Sequence, residues 1–136
     1  MEGKNIILSI VVPVFNEEKN ILPFVEKINQ VCNKTLNKDE SYELIFVLDP
    51  SEDNTENIIR DCCALNNKIA LIKMSRRFGQ PACTIAGIEN CKGKYCVVID
   101  ADFQDPPEII EKMYNKILEG YDVVNAKRKS RSGTGI

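Results

Sequence analysis

The sequence contains no histidine and no tryptophan, and its six cysteines, at positions 32, 62, 63, 83, 91 and 96, form no CxxC pair. The common zinc patterns need paired Cys or His ligands, so the missing residues exclude those patterns and any general base built on histidine. Most of the cysteines lie in apolar stretches, which favours buried, reduced thiols. We therefore expect a cytoplasmic protein whose thiols do not form disulfides.

Several other features are missing. No apolar run approaches the ~18 residues that a membrane-spanning helix needs, and no signal-peptide core occurs. Neither GxGxxG nor GxxxxGK[ST] is present, which leaves a Rossmann dinucleotide site and a P-loop unsupported. The 136 residues carry 18 basic and 20 acidic side chains, a net charge of −2 that argues against nucleic acid as a partner.

The chain alternates short apolar, β-branched stretches with helical periodicity. The stretches predict strands at 6–12, 42–48, 69–74, 95–99 and 122–126, and the periodic segments between them predict four helices. Asn20 and Asp105 are expected to cap the first and the fourth helix. This order is typical of an α/β protein, a doubly wound, mainly parallel sheet with helices on both faces, and the length fits one domain.

Polar segments follow every predicted strand. They begin at Pro13, Asp49, Ser75, Asp100 and Lys127. Ligands of open parallel sheets bind beyond the carboxyl ends of the strands, so these segments predict one binding site. Phe15 and Phe78 are candidates for lining a pocket for a base or a sugar, although packing at strand ends explains each of them equally well.

The stretch VVIDADFQDPPE places Asp100, Asp102 and Asp105 directly after an apolar strand. Helix capping and turn formation account for Asp105 but not for Asp100 and Asp102. Carboxylates two positions apart in an extended turn can face the same way, and together they suit Mg²⁺ or Mn²⁺ completed by phosphate oxygens. The basic side chains of Arg128 and Arg131 are candidates for facing those phosphates.

Three segments, SIVVPVFNEEKNI, SRRFGQPACTIAGI and DADFQDPPEII, resemble in order and spacing the N-terminal half of family 2 glycosyltransferases of the GT-A fold. The chain is most similar to the polyprenyl-phosphate sugar transferases of that family, from Ser9 to about Arg131. The resemblance implies a nucleotide-diphospho-sugar transferase fold and an inverting hexosyltransferase that depends on Mg²⁺ or Mn²⁺.

The resemblance also implies roles for individual residues. The nucleotide-binding positions fall on Pro13, Phe15, Glu17, Val47, Asp49, Asp100 and Ala101. The DxD metal motif falls on Asp100 and Asp102, with Gln104 as a possible third ligand. Catalytic roles fall on Asp102, through the metal, and on Arg128, against phosphate, and Arg131 is assigned with Arg128 to the acceptor phosphate.

The sequence departs from the family pattern in two ways. The usual pair of aspartates after the second strand is Leu48-Asp49 here, and two family glycines are Pro50 and Asn54. Family members also continue with acceptor-binding elements, and many have membrane-associated helices. We therefore expect residues 1–136 to be one donor-binding domain truncated at its C-terminus, inactive alone, with any membrane contact made by segments absent here.

The implied reaction moves a sugar from a UDP- or GDP-sugar to a lipid phosphate, at the cytoplasmic face of a membrane in the full-length protein, as part of cell-wall or glycan biogenesis. Two alternatives stay open: a non-catalytic module that binds nucleotide sugars, and a family 2 transferase that acts on a sugar hydroxyl. A phosphoacceptor signalling domain is disfavoured, because its acidic pair should follow the first strand, where Pro13, Val14 and Phe15 stand.

Overall fold

Four parallel strands form the sheet of the computed structural model, which describes residues 4–125. In chain order the elements are β1 (Asn5–Val14), α1 (Ile21–Thr35), β2 (Glu40–Leu48), α2 (Thr55–Leu65), β3 (Ile69–Lys73), α3 (Gln80–Glu89), β4 (Tyr95–Val98) and α4 (Ile109–Leu118). The strand order is β3-β2-β1-β4, and β1 pairs with both β2 and β4. The predicted α/β class with a parallel sheet is confirmed.

The two faces of the sheet bury alternate residues of the same strands. Ile10 and Val12 of β1 belong to the larger core cluster, which also takes in residues of α1, α2 and α4. Val11 lies on the opposite face in a smaller cluster with Ile45, Val47 and Cys83, the last from α3. Helices therefore cover both faces, with α3 alone on its side among the described helices, and the long apolar runs are explained by burial on both faces.

Glycine lets α3 approach the sheet closely. A Cβ at Gly87 would overlap Cγ1 of Val11 and would lie 3.1 Å from Cγ2 of Val47. The absence of a side chain at this position therefore sets how near the helix backbone lies to β1 and β2.

Hydrogen bonds also connect the first half of β2 to the turn that follows α3. The buried carboxylate of Glu43 accepts hydrogen bonds from the Ser9 hydroxyl and from the backbone N–H of Lys92, both at 2.6 Å. The backbone N–H of Gly93 donates in turn to the Ser9 hydroxyl at 2.8 Å. These bonds fix the turn that leads into β4.

Two capping predictions differ from the structure. Asn20 lies at the N-cap of α1, but its side chain donates to Glu17 at 2.8 Å instead of capping the helix. Asp105 does not occupy the cap of α4, which begins at Ile109. Pro107 disfavours helical backbone at Pro106, so a tight turn, closed by the bond from Ile109 N–H to the Pro106 carbonyl, comes first.

The predicted fifth strand is also wrong where it can be checked. Residues 121–125 carry no strand, and Ala126 lies outside the described residues. Val123 is 75% exposed, so this segment lacks the buried face that stabilises a strand. Within residues 4–125, no helix is both long and apolar enough to cross a membrane.

Candidate active site

A cleft of about 260 Å³ lies at the carboxyl ends of the strands. Its walls come from the end of β1 and the loop after it, from the segment around the start of α3, and from the loop after β4. The lining residues are Pro13, Val14, Phe15, Glu17, Arg77, Gln80, Cys83, Asp100 and Asp102. Three of the five polar segments that were predicted to converge, those after β1, β3 and β4, therefore line this cleft.

The acidic loop after β4 presents Asp100 and Asp102 to the same cleft. Asp100 accepts a 2.8 Å hydrogen bond from the side-chain amide of Gln80, and Asp102 accepts a 3.1 Å bond from the backbone N–H of Gln104. Each carboxylate is thereby oriented by a neutral donor. Two carboxylates on one wall are suited to a hard divalent cation that takes its other ligands from a substrate.

Phe103 shapes the acidic loop through its backbone. It has a φ of 65°, in the left-handed region that bulky side chains rarely adopt. Its ring packs edge-on against Phe24 of α1, with the ring centroids 5.9 Å apart. Such strained positions persist where the surroundings hold them in place, and they cluster at functional sites.

Hydrogen bonds between two loops hold the wall of the cleft that carries Phe15 and Glu17. Asn16, at a φ of 51°, donates its backbone N–H to the Ser51 hydroxyl at 2.9 Å, and its side chain accepts from Glu52 N–H at 3.0 Å. The N–H of Glu17 donates to the Thr55 hydroxyl at 2.8 Å. The loop that carries Phe15 and Glu17 is therefore fixed to the start of α2.

Asp49 is 3% exposed, and its carboxylate bonds within the protein. It accepts hydrogen bonds from the backbone N–H groups of Phe78 at 3.1 Å and Gly79 at 2.9 Å, and from the thiol of Cys83 at 3.3 Å. Burial, reinforced by the bond to Asp49, raises the pKa of the Cys83 thiol to about 11. Asp49 thus anchors the segment that enters α3.

Two cleft residues, Arg77 and Gln80, were not predicted to have a role. The guanidinium of Arg77 lies 3.9 Å from the centroid of the Phe15 ring, and Gln80 meets Asp100 as described above. Both belong to SRRFGQ, the polar segment after β3. The position of this segment after a parallel strand predicts that it lies at the binding site, but no local pattern singles out Arg77 or Gln80 within it.

Other predicted residues lie away from the cleft surface. Val47 and Ala101 are buried, at 0% and 1% exposure, so neither presents surface to a ligand in this structure. Gln104 is exposed, and Phe78 is 44% exposed with the guanidinium of Arg76 stacked on it at 4.6 Å. Arg128 and Arg131 lie outside the described residues.

Few side chains of the cleft are therefore available as metal ligands. Between residues 4 and 125 there is no group of three or more Asp, Glu, Cys or His side chains able to hold a metal ion together. Asp100 and Asp102 fit the alternative arrangement, in which two carboxylates bind the ion and phosphate oxygens and water complete its coordination.

Comparison with protein families matches residues 9–135 to glycosyl transferase family 2. The chain belongs to this family. It is 42% identical over 131 residues to the uncharacterized glycosyltransferase YkcC of Bacillus subtilis, covering 96% of this chain and 40% of YkcC. It is 34% identical over 126 residues to the undecaprenyl-phosphate 4-deoxy-4-formamido-L-arabinose transferase of Aeromonas hydrophila, covering 92% of this chain and 38% of that protein.

Solved structures with the same fold include two glycosyltransferases of the GT-A type. The mannosyltransferase PcManGT from Pyrobaculum calidifontis, in complex with GDP-Man and Mn²⁺, matches 72% of this chain and 28% of its own, with a TM-score of 0.62 and 20% identity. TarS of S. aureus matches 80% of this chain and 20% of its own, with a TM-score of 0.57 and 20% identity. The GT-A assignment is thus confirmed, and the chain spans about 40% of the length of its curated relatives.

Proposed function

We propose that this family 2 chain binds a nucleotide diphosphate sugar together with Mg²⁺ or Mn²⁺ and acts as the donor-binding part of an inverting sugar transferase. One observation carries the proposal: Asp100 and Asp102 face the same cleft as Phe15 and Glu17, at the carboxyl end of a parallel sheet. A nucleoside needs an aromatic or apolar wall and a diphosphate needs cationic neutralisation, and this cleft offers sites for both.

In this proposal the nucleoside binds along the end of β1 and β2. Pro13, Phe15 and Glu17 supply the wall, and Val47 and Asp49 contribute at the point where the two strands end. Val47 pairs with Pro13 in the β1–β2 register, so it would support from within the sheet a residue that lines the cleft. Ala101, buried between the two acidic residues, would contribute by setting their spacing.

Asp100 and Asp102 would hold the metal, with Gln104 as a candidate third ligand. A divalent cation bound there would neutralise the leaving diphosphate and act as a Lewis acid. Gln80 keeps Asp100 turned toward the cleft, and the backbone of Gln104 does the same for Asp102. These residues therefore prepare the carboxylates before the donor arrives.

For the acceptor we propose a polyprenyl phosphate, supported by the names of relatives such as the Aeromonas hydrophila transferase. An oxygen of the acceptor phosphate would attack the anomeric carbon from the side opposite the diphosphate. The new carbon–oxygen bond forms as the bond to the diphosphate breaks, and the configuration inverts. The acceptor is already anionic at pH 7, so no histidine is needed as a base, and Arg128 and Arg131 would attract it.

Isothermal titration calorimetry with UDP-, GDP- and CMP-sugars, with and without Mn²⁺, tests donor binding. We expect binding that depends on Mn²⁺ and is lost in Asp102→Asn, whereas Asp105→Asn, a matched change of an acid outside the cleft lining, retains it. Unchanged affinity in Asp102→Asn would show that the metal assignment is wrong.

Transfer is measured separately, as lipid-linked sugar formed from polyprenyl phosphate and labelled donor. Product on the lipid phosphate supports the proposed acceptor, and product only on a sugar alcohol would favour the hydroxyl-acceptor alternative. Binding of donor with no product on either acceptor, in a chain as long as the curated relatives, would favour a non-catalytic binding module.

A further inference from the structure

We propose that Arg77 binds the diphosphate of the donor, an inference that depends on the donor site proposed above. Among the described residues that line the cleft, Arg77 is the one with a cationic side chain, and it lies with the acids Glu17, Asp100 and Asp102. It comes from the segment after β3, which was expected at the binding site although no role was assigned to Arg77 itself.

The charge of the cleft explains why a cation is needed there. Three carboxylates and one guanidinium give the lining a formal charge of −2. A divalent cation brings it to zero, and the diphosphate then adds negative charge. Without Arg77, the metal-loaded cleft would already be negative before the diphosphate arrived, and like charges at short range disfavour binding.

The stacking of Arg77 on Phe15 orients its hydrogen-bond donors. With the guanidinium carbon 3.9 Å from the ring centroid, the ring covers one face of the group. The N–H donors of a guanidinium lie in its plane, so stacking leaves them available at the edges. A planar fork of donors is the arrangement that binds phosphate oxygens in pairs.

The backbone beside Arg77 is held in place. The N–H groups of the next two residues, Phe78 and Gly79, both donate to the buried carboxylate of Asp49. Gly79 has a φ of 94°, a conformation that favours glycine, and its carbonyl accepts the N–H of Cys83 in the first turn of α3. Arg77 therefore projects from a fixed turn, which lowers the entropy lost when it binds a ligand.

Arg76 provides a matched control. It is the neighbouring residue, is exposed like Arg77, and also stacks on a phenylalanine, with its guanidinium carbon 4.6 Å from the centroid of the Phe78 ring. Its side chain does not belong to the cleft lining among the described residues. Removing either arginine changes the net charge equally, so only their positions differ.

The test is calorimetry in the presence of Mn²⁺ on the parent chain and on Arg77→Ala, Arg77→Lys and Arg76→Ala. Each protein is titrated with a nucleoside and with its diphosphate. The pair is uridine and UDP, or guanosine and GDP, according to which nucleotide the parent binds. We expect Arg77→Ala to weaken diphosphate binding by about tenfold or more, the loss of a charge-assisted bond, and to leave nucleoside binding unchanged. Arg77→Lys should recover part of the loss, and Arg76→Ala should stay within about twofold of the parent. Melting temperatures check that each variant is folded.

The outcomes separate this inference from the proposed function. Parent protein that binds no nucleotide with Mn²⁺ would overturn both. Parent protein that binds, with Arg77→Ala and Arg76→Ala equally affected, would overturn the role of Arg77 alone. An equal loss for nucleoside and diphosphate in Arg77→Ala would place the residue at the base and would also overturn the phosphate assignment.

Discussion

The buried carboxylate of Asp49 accepts a 2.9 Å hydrogen bond from the backbone N–H of Gly79, thirty positions further along the chain. Together with the bond from Phe78, it ties the end of β2 to the start of α3. At the other end of the same strand, Glu43 holds the turn after α3 through the N–H of Lys92. Two carboxylates, Glu43 within β2 and Asp49 directly after it, therefore secure both ends of the helix that carries Gln80.

The first prediction concerns Asp49. Asp49→Ala should lower the free energy of unfolding by about 1–3 kcal/mol, because buried N–H groups lose their acceptor, and it should also weaken donor binding. Chemical denaturation and calorimetry measure the two effects. Glu52→Ala, which removes an exposed carboxylate near the same strand end and keeps the backbone N–H that bonds to Asn16, is the control for nucleotide affinity. An Asp49→Ala protein with parental stability and parental affinity would contradict both roles.

The second prediction compares two glutamines. Gln80 donates to Asp100, whereas the contact of Gln104 with Asp102 is made by its backbone N–H. We expect Gln80→Ala to reduce Mn²⁺ affinity in the presence of nucleotide by roughly tenfold, the usual effect of removing a residue that orients a metal ligand. Gln104→Ala should reduce it less. The reverse order, measured by titration calorimetry, would favour Gln104 as a direct ligand.

The third prediction concerns the contact between α3 and the sheet. Gly87→Ala should destabilise the protein by about 1–3 kcal/mol, because the added Cβ overlaps Val11. The exposed Glu89→Ala in the same helix should have little effect. Val11→Ala removes both colliding methyl groups, so the double variant should be more stable than the sum of the single changes predicts. Additive effects in urea denaturation would contradict this packing.

The first four strands could be predicted because each is marked by a short run of consecutive apolar or β-branched residues. The β-branched run at the start of β1 and the apolar run of β2 need burial on both faces, and a parallel sheet provides it. The described part of the predicted strand over 122–126 is not buried in this way, since Val123 is 75% exposed. The proline pair before α4 predicts a helix start, but the restriction that Pro107 places on the backbone of Pro106 delays the helix to Ile109.

The candidate site was predictable in part. Asp100, Asp102, Phe15 and Glu17 follow strands whose carboxyl ends share one edge, so their convergence could be inferred from chain order. The hydrogen bond from Gly79 to Asp49 joins segments about thirty positions apart, and the stacking of Arg77 on Phe15 joins segments about sixty positions apart. No local pattern encodes such pairs, because they depend on the strand order β3-β2-β1-β4 and on loop conformation.

The fourth prediction concerns the thiols, and all six cysteines are free in the structure. Burial raises the pKa of the Cys32 thiol to about 12 and that of the Cys83 thiol to about 11, from an unperturbed value of 9.0. Because the thiolate is the reactive form, these thiols should react slowly with a disulfide reagent at pH 8 while the protein is folded, and quickly in urea. Mass spectrometry of the unreduced protein should find no stoichiometric disulfide.

The same shifts make stability depend on pH. Above pH 9 the unfolded chain releases thiol protons that the folded chain retains, so the stabilisation is fully present below pH 9 and is lost as the pH rises through about 11 to 12. We expect the urea midpoint to fall across this window, and to fall less in Cys83→Ala, which has one buried thiol fewer. Lysine and tyrosine also titrate there, so the comparison with Cys83→Ala is the decisive measurement. An equal fall in both proteins would show that the Cys83 thiol does not resist ionisation in the folded state.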